Sequence, residues 1–152
     1  MAGIEGPYLS AALLCEKVLE EKDGVKSAIR MVDRVIRTAV GPNPPQVMEP
    51  FEYELTLLVR LKSGSVRGVY QLKITLAEPS GESRSQAVPV VFEGEEDKGL
   101  DVVAPLRLRI PVPGIYWIEI YLENDFLTKV PMRVVYIPQT IALPQIPEKG
   151  EG

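Results

Sequence analysis

Residues 51–76 read FEYELTLLVRLK, SGS, VRGVYQLKITL, and this stretch decides the fold. Phe51, Tyr53, Leu55, Leu57, Val59 and Leu61 take every second place, with Glu52, Glu54, Thr56, Arg60 and Lys62 between them. The second run repeats the pattern, setting Val66, Tyr70, Leu72, Ile74 and Leu76 against Arg67, Gln71, Lys73 and Thr75. Side chains on a strand point alternately to opposite faces, so each run has one apolar and one polar face. Ser63–Gly64–Ser65 is short enough to join them as a hairpin with one face to bury.

Working outward, the same period recurs. Leu100, Val102, Ala104, Leu106, Leu108 and Ile110 alternate with Asp101, Arg107 and Arg109. After Pro111–Val112–Pro113–Gly114, one face carries Tyr116, Ile118, Ile120 and Leu122; the other carries Trp117, Glu119 and Tyr121. Asn124–Asp125 turns the chain into a last strand, Phe126 to Ile137. Gln86 to Phe92 reads as a strand whose Pro89, lacking a ladder donor, suits an edge position or a bulge. Gly41 to Pro50 carries too many prolines for a strand and reads as a connection between layers.

Tyr8 to Ala39 admits two readings. The run from Leu9 to Glu21 is rich in helix formers, and Ile29, Val32, Val35 and Ile36 fit helical spacing. Asp23–Gly24, between runs of similar length, instead signals a hairpin through a type I′ turn. With strands there, the expectation is an all-β fold: an antiparallel two-sheet sandwich of about eight strands. It would form one domain over residues 1–137, followed by a Pro/Gly-rich tail at 138–152.

At 152 residues, 45% apolar and 25% charged, the chain can bury about 70% of its unfolded surface as one soluble unit. Its net charge of −4 speaks against nucleic acid, whose binders carry a basic surplus. No apolar run approaches the length of a membrane span. A single cysteine, Cys15, rules out an internal disulfide, and Met1 to Tyr8 has no secretory pattern. Both point to a cytoplasmic protein.

Histidine is absent, which removes Ser-His-Asp and Cys-His nucleophile pairs and histidine-based zinc sites. No Gly-rich phosphate loop occurs either. Glu119 with Glu123, or Glu52 with Glu54, would need a cleft to act as a carboxylate pair; on strands they share a wet face. No enzyme and no cofactor are expected. In the acidic loop, Glu93, Glu95, Glu96 and Asp97, with Asp101 beyond, supply oxygens of the kind Ca²⁺ prefers, but without a calcium-loop spacing. Cys15 reads as a small core residue. Tyr116, just after Pro113–Gly114, reads as a tyrosine corner tying down the preceding loop.

Trp117 and Tyr121, with Glu119 between them, oppose the Tyr116 face. Such aromatics anchor interfaces, because they bury much area at small entropy cost, unless another segment covers them. Ile141, Leu143 and Ile146 in the tail offer a second, extended contact.

Ala11–Ala12–Leu13–Leu14–Cys15–Glu16, Asp23–Gly24 and Pro113–Gly114–Ile115–Tyr116–Trp117 together resemble a family of small uncharacterised bacterial proteins with an Ig-like β-sandwich. The resemblance spans Tyr8 to Ile137 and implies strands for Leu9–Ala39; it carries over no site residues. The expected function is a non-catalytic module that binds a protein partner or itself. A small-ligand or carbohydrate module using the aromatics is the alternative, as is a Ca²⁺-dependent module at the acidic loop.

Overall fold

The computed structural model describes residues 5–142, and among them there is no helix, hence none long and apolar enough to cross a membrane. Nine strands form: β1 (Tyr8–Glu20), β2 (Lys26–Met31), β3 (Arg34–Gly41), β4 (Phe51–Lys62), β5 (Arg67–Ala77), β6 (Ser83–Glu93), β7 (Gly99–Ile110), β8 (Gly114–Leu122) and β9 (Asp125–Thr140). They build a four-stranded sheet, β2-β1-β4-β7, and a curled five-stranded sheet, β3-β9-β8-β5-β6.

The alternation places side chains as the residue types demand. Leu55, Leu57, Val59 and Leu61 of β4 turn inward toward Leu72, Ile74 and Leu76 of β5 and Tyr116, Ile118, Ile120 and Leu122 of β8. Each such buried aliphatic side chain stabilises the fold by about 1.5–3 kcal/mol before chain entropy is subtracted. The Tyr116 face is therefore core. Its hydroxyl donates to the Val112 carbonyl at 2.6 Å, the loop tie expected of it. Burial pushes the Tyr116 phenol pKa up.

Four expectations are corrected. First, β4 and β5 are not a hairpin. They lie in different sheets, and Ser63–Gly64–Ser65 carries the chain across the core. The crossing sets two apolar faces opposite each other instead of side by side, so both are buried. Ser63 itself is buried, its hydroxyl 2.7 Å from the Lys98 carbonyl, and its N–H donates to the same carbonyl. Second, Tyr8–Gly41 supplies three strands, not two, which raises the count to nine. Gly24 (φ +87°) follows a turn closed by Gly24 N–H to Glu21 C=O at 2.9 Å. Asp23 is not in the left-handed region, so this is not the type I′ turn expected. Third, the sheets are not wholly antiparallel, since β3 runs parallel to β9 from Arg34↔Arg133 to Gly41↔Thr140. Fourth, β9 continues through Pro138, Gln139 and Thr140, where the tail was expected to begin. Ile141 is half-exposed, while Leu143 and Ile146 lie outside the described residues.

One contact reveals a sharp bend in β1. Ala11 pairs with Arg60, which pairs with Asp101; Lys26 pairs with Glu20 at the far end of β1. In an unbent sheet Lys26 would stand about 30 Å along the strand from Asp101 and about 14 Å across the strands. Yet Lys26 Nζ lies 3.1 Å from Asp101 Oδ2. The β1–β2 hairpin therefore folds back over the outer face of the four-stranded sheet. That explains why Cys15 (0% exposed) and Leu58 (5%), which point away from the main core, are buried.

Candidate functional site

Among the described residues nothing covers the outer face of the five-stranded sheet in this way. There β8 presents Trp117, Glu119 and Tyr121, each half-buried, on the side opposite Tyr116. Neighbouring strands complete the surface. The register sets Lys129 of β9 and Thr75 of β5 beside Glu119, and Phe126 and Lys73 beside Tyr121.

The geometry is that of a cationic-aromatic stripe. Lys129 Nζ sits 4.2 Å from the Trp117 ring centroid, and Lys73 Nζ 5.6 Å from that of Tyr121. Phe126, 53% exposed, packs edge-on against Tyr121 with centroids 5.5 Å apart. The Tyr121 hydroxyl donates to Glu119 Oε2 at 3.0 Å, and this bond is the main cause of the raised Tyr121 pKa. Two lysines over π-faces and one phenol on a carboxylate hold these side chains in place without burying them. Trp117, Glu119 and Tyr121 share a face as their spacing required. Lys73, Lys129 and Phe126 join them only through strand register, which no local pattern carries.

The other candidates are dispersed. Glu123 (φ +53°) closes the β8–β9 turn, and its Oε1 accepts the Gln71 N–H at 2.9 Å, so it does not pair with Glu119. Glu54 is held by Arg107 at 2.9 Å. In the acidic loop, Glu93 and Glu95 flank Lys98 at 3.6 and 3.7 Å. The loop's backbone, not its carboxylates, turns inward: the Lys98 and Glu95 carbonyls both approach the Ser63 hydroxyl.

Asp101 stands apart from that loop, between Arg60 (2.8 Å) and Lys26 (3.1 Å). Burial alone would raise its pKa, but the hydrogen bonds and charges of Arg60 and Lys26 outweigh this and hold it below its ordinary value. Among the described residues no group of three or more His, Cys, Asp or Glu gathers to hold a metal ion. Cys15 is wholly buried, and desolvation raises its pKa, the opposite of what a reactive thiol requires.

A cleft of about 220 Å³ opens between β6 and β7, floored by Ile74, Leu76, Leu106, Leu108 and Ile118. It is smaller than the roughly 300–1,000 Å³ of a typical ligand site. Its arginines, Arg84 and Arg107, already pair with Glu78 and Glu54. No curated protein matches the chain. A family model matches residues 10–135, most of the sequence, and by it the chain belongs to DUF6941, a family of unknown function.

Proposed function

We propose that this chain is a non-catalytic interaction module, an Ig-like sandwich that docks a protein partner on the outer face of its five-stranded sheet, around Trp117, Glu119 and Tyr121. One observation carries the reading. The chain uses its own β1–β2 hairpin to close the outer face of one sheet and leaves aromatic side chains half-exposed on the other. Large aromatics flanked by charges are the side chains that interfaces use as anchors.

Strand order supports the Ig-like part of the proposal. The run β9-β8-β5-β6 has the order G-F-C-C′, and β1-β4-β7 has the order A-B-E. Tyr116, near the start of the penultimate strand, bonds back to Val112 as a tyrosine corner does. The single buried cysteine suits a reducing, cytoplasmic setting. A protein partner is favoured over a carbohydrate because Lys129 already lies over the Trp117 ring that a sugar would stack on.

The test is co-purification from the native host with tagged wild type and the double variant Trp117→Ser, Tyr121→Ser. The variant should keep a cooperative unfolding transition and lose a partner that wild type retains. Identical sets of co-purifying proteins would refute the docking face. A thermal shift of wild type with a glycan panel or with Ca²⁺ would refute the protein-partner reading in favour of those ligands.

A further inference from the structure

The four sheet edges differ in how well they are guarded against pairing with another strand. Pro89 interrupts β6 and Pro105 interrupts β7. β2 is short, and Arg30 within it adopts a left-handed φ of +55°. β3 has none of these devices: Arg34 to Gly41 is unbroken by proline, and β9 pairs with it along one side only.

The hydrogen bonds to β9 settle which groups of β3 remain unpaired. Asp33 C=O accepts from Arg133 N–H, and Gly41 C=O accepts from Ile141 N–H, both at 2.9 Å. Since N–H and C=O of one residue point to the same side and alternate along a strand, the odd-numbered residues face β9. Arg34, Ile36, Thr38 and Val40 therefore direct their main-chain groups to the open edge. Their side chains lie on the outer face, where Ile36 is 57% and Val40 54% exposed, whereas Val35 is buried at 7%.

We propose that β3 pairs antiparallel with β3 of a second copy of this chain, across a two-fold axis through Thr38. This register is selected by the residues themselves. It sets Ile36 opposite Val40 of the second copy, Thr38 opposite Thr38, and Val40 opposite Ile36. Among the described residues none of them has a main-chain partner on that side, so each opposed pair exchanges two main-chain hydrogen bonds. Arg37 falls opposite Ala39.

The adjacent register, centred on Arg37, sets that arginine against itself, and like charges directly opposite destabilise a sheet. A register centred on Ile36 leaves Val40 unpaired and runs into Val32–Asp33, outside the strand. Only the Thr38 register covers both exposed aliphatic residues with each other. The contact is isologous, as a closed dimer requires, and merges the two five-stranded sheets so that both Trp117 faces stand on one continuous surface. This proposal does not rest on the docking face above.

Sedimentation equilibrium of the full chain tests it, with far-UV circular dichroism and thermal unfolding to confirm the fold of each variant. Wild type should sediment at twice the chain mass at high concentration. Thr38→Pro removes an N–H that faces away from β9 and that no described strand uses, and should sediment at the chain mass.

A charge pair then tests the register. Ile36→Lys with Val40→Lys places lysine opposite lysine and should weaken the dimer more than about tenfold. Ile36→Lys with Val40→Glu places lysine opposite glutamate and should restore it. A monomeric wild type would overturn the proposal. So would a Thr38→Pro chain that stays dimeric, or two double variants that behave alike. Loss of the partner from the Trp117, Tyr121 variant with the dimer intact separates this inference from the docking face.

Discussion

The two outer faces of this molecule were treated differently by the same chain. On the four-stranded sheet, Leu13, Cys15 and Leu58 point outward, and the bent β1–β2 hairpin folds over them, tied by Lys26 to Asp101. On the five-stranded sheet, Trp117, Tyr121, Phe126 and Ile36 point outward with nothing of the described chain folded across them. The difference separates apolar residues that stabilise the monomer from apolar residues that do not. An aliphatic side chain facing away from the core is no sign of function when a hairpin closes over it. Where the cover is missing, the same kind of residue adds little to the stability of the monomer.

The sharpest way to break the comparison is a matched pair of truncations. Leu58→Ala empties a site buried beneath the hairpin and should cost about 2–4 kcal/mol, as a core leucine does. Val69→Ala, on the outer face of β5 and 65% exposed, should stay within about 0.5 kcal/mol. Denaturant midpoints measured side by side decide the matter. Equal losses at the two positions would mean that the faces do not differ in burial.

The pair also marks how far the sequence could be read. The two-residue period is local, so the inward sets on β4, β5, β7 and β8 were legible, as was the shared face of Trp117, Glu119 and Tyr121. Membership of a sheet is not local. Ser63–Gly64–Ser65 is as fit to cross between sheets as to close a hairpin, and only the pairing of β4 with β7 and β5 with β8 distinguishes the two. The parallel union of β3 with β9 joins residues about two-thirds of the chain apart. Lys73 and Lys129 reach the candidate face through register alone. In the acidic loop the sequence shows the carboxylates, whereas the inward-facing part is the backbone, whose Lys98 and Glu95 carbonyls approach the buried Ser63 hydroxyl.

A smaller effect sharpens the covered face. Asp101→Asn should loosen the hairpin, costing about 1 kcal/mol of stability for a pair of partly screened ion contacts, and should speed labelling of Cys15 by a thiol reagent at neutral pH. The sign of the pH dependence follows from the depressed pKa of Asp101. A carboxyl whose pKa is lower in the folded than in the unfolded state stabilises the fold above the unfolded value. It loses that contribution as pH falls through the folded value. The stability gap between wild type and Asp101→Asn should therefore be full near neutrality and vanish below the ordinary aspartate range. A gap that persisted in acid would mean that the carboxylate is not what holds the hairpin down.

The smallest expected effect belongs to the open face, and its smallness is the point. Lys129→Met removes the charge over the Trp117 ring while keeping a chain of similar length. At a solvent-exposed site that cation–π contact contributes about 0.5–1 kcal/mol, part of which the methionine side chain replaces by packing on the indole. Stability should fall by about 0.5 kcal/mol or less. Trp117 is the only tryptophan in the chain, so its emission reports this one environment and should shift with the loss of the charge. A fall of several kcal/mol would place Trp117 in the stabilising core after all. A shifted emission with stability nearly intact would mean the indole is held in position by a contact the monomer does not need, which is how an anchor residue behaves before its partner arrives.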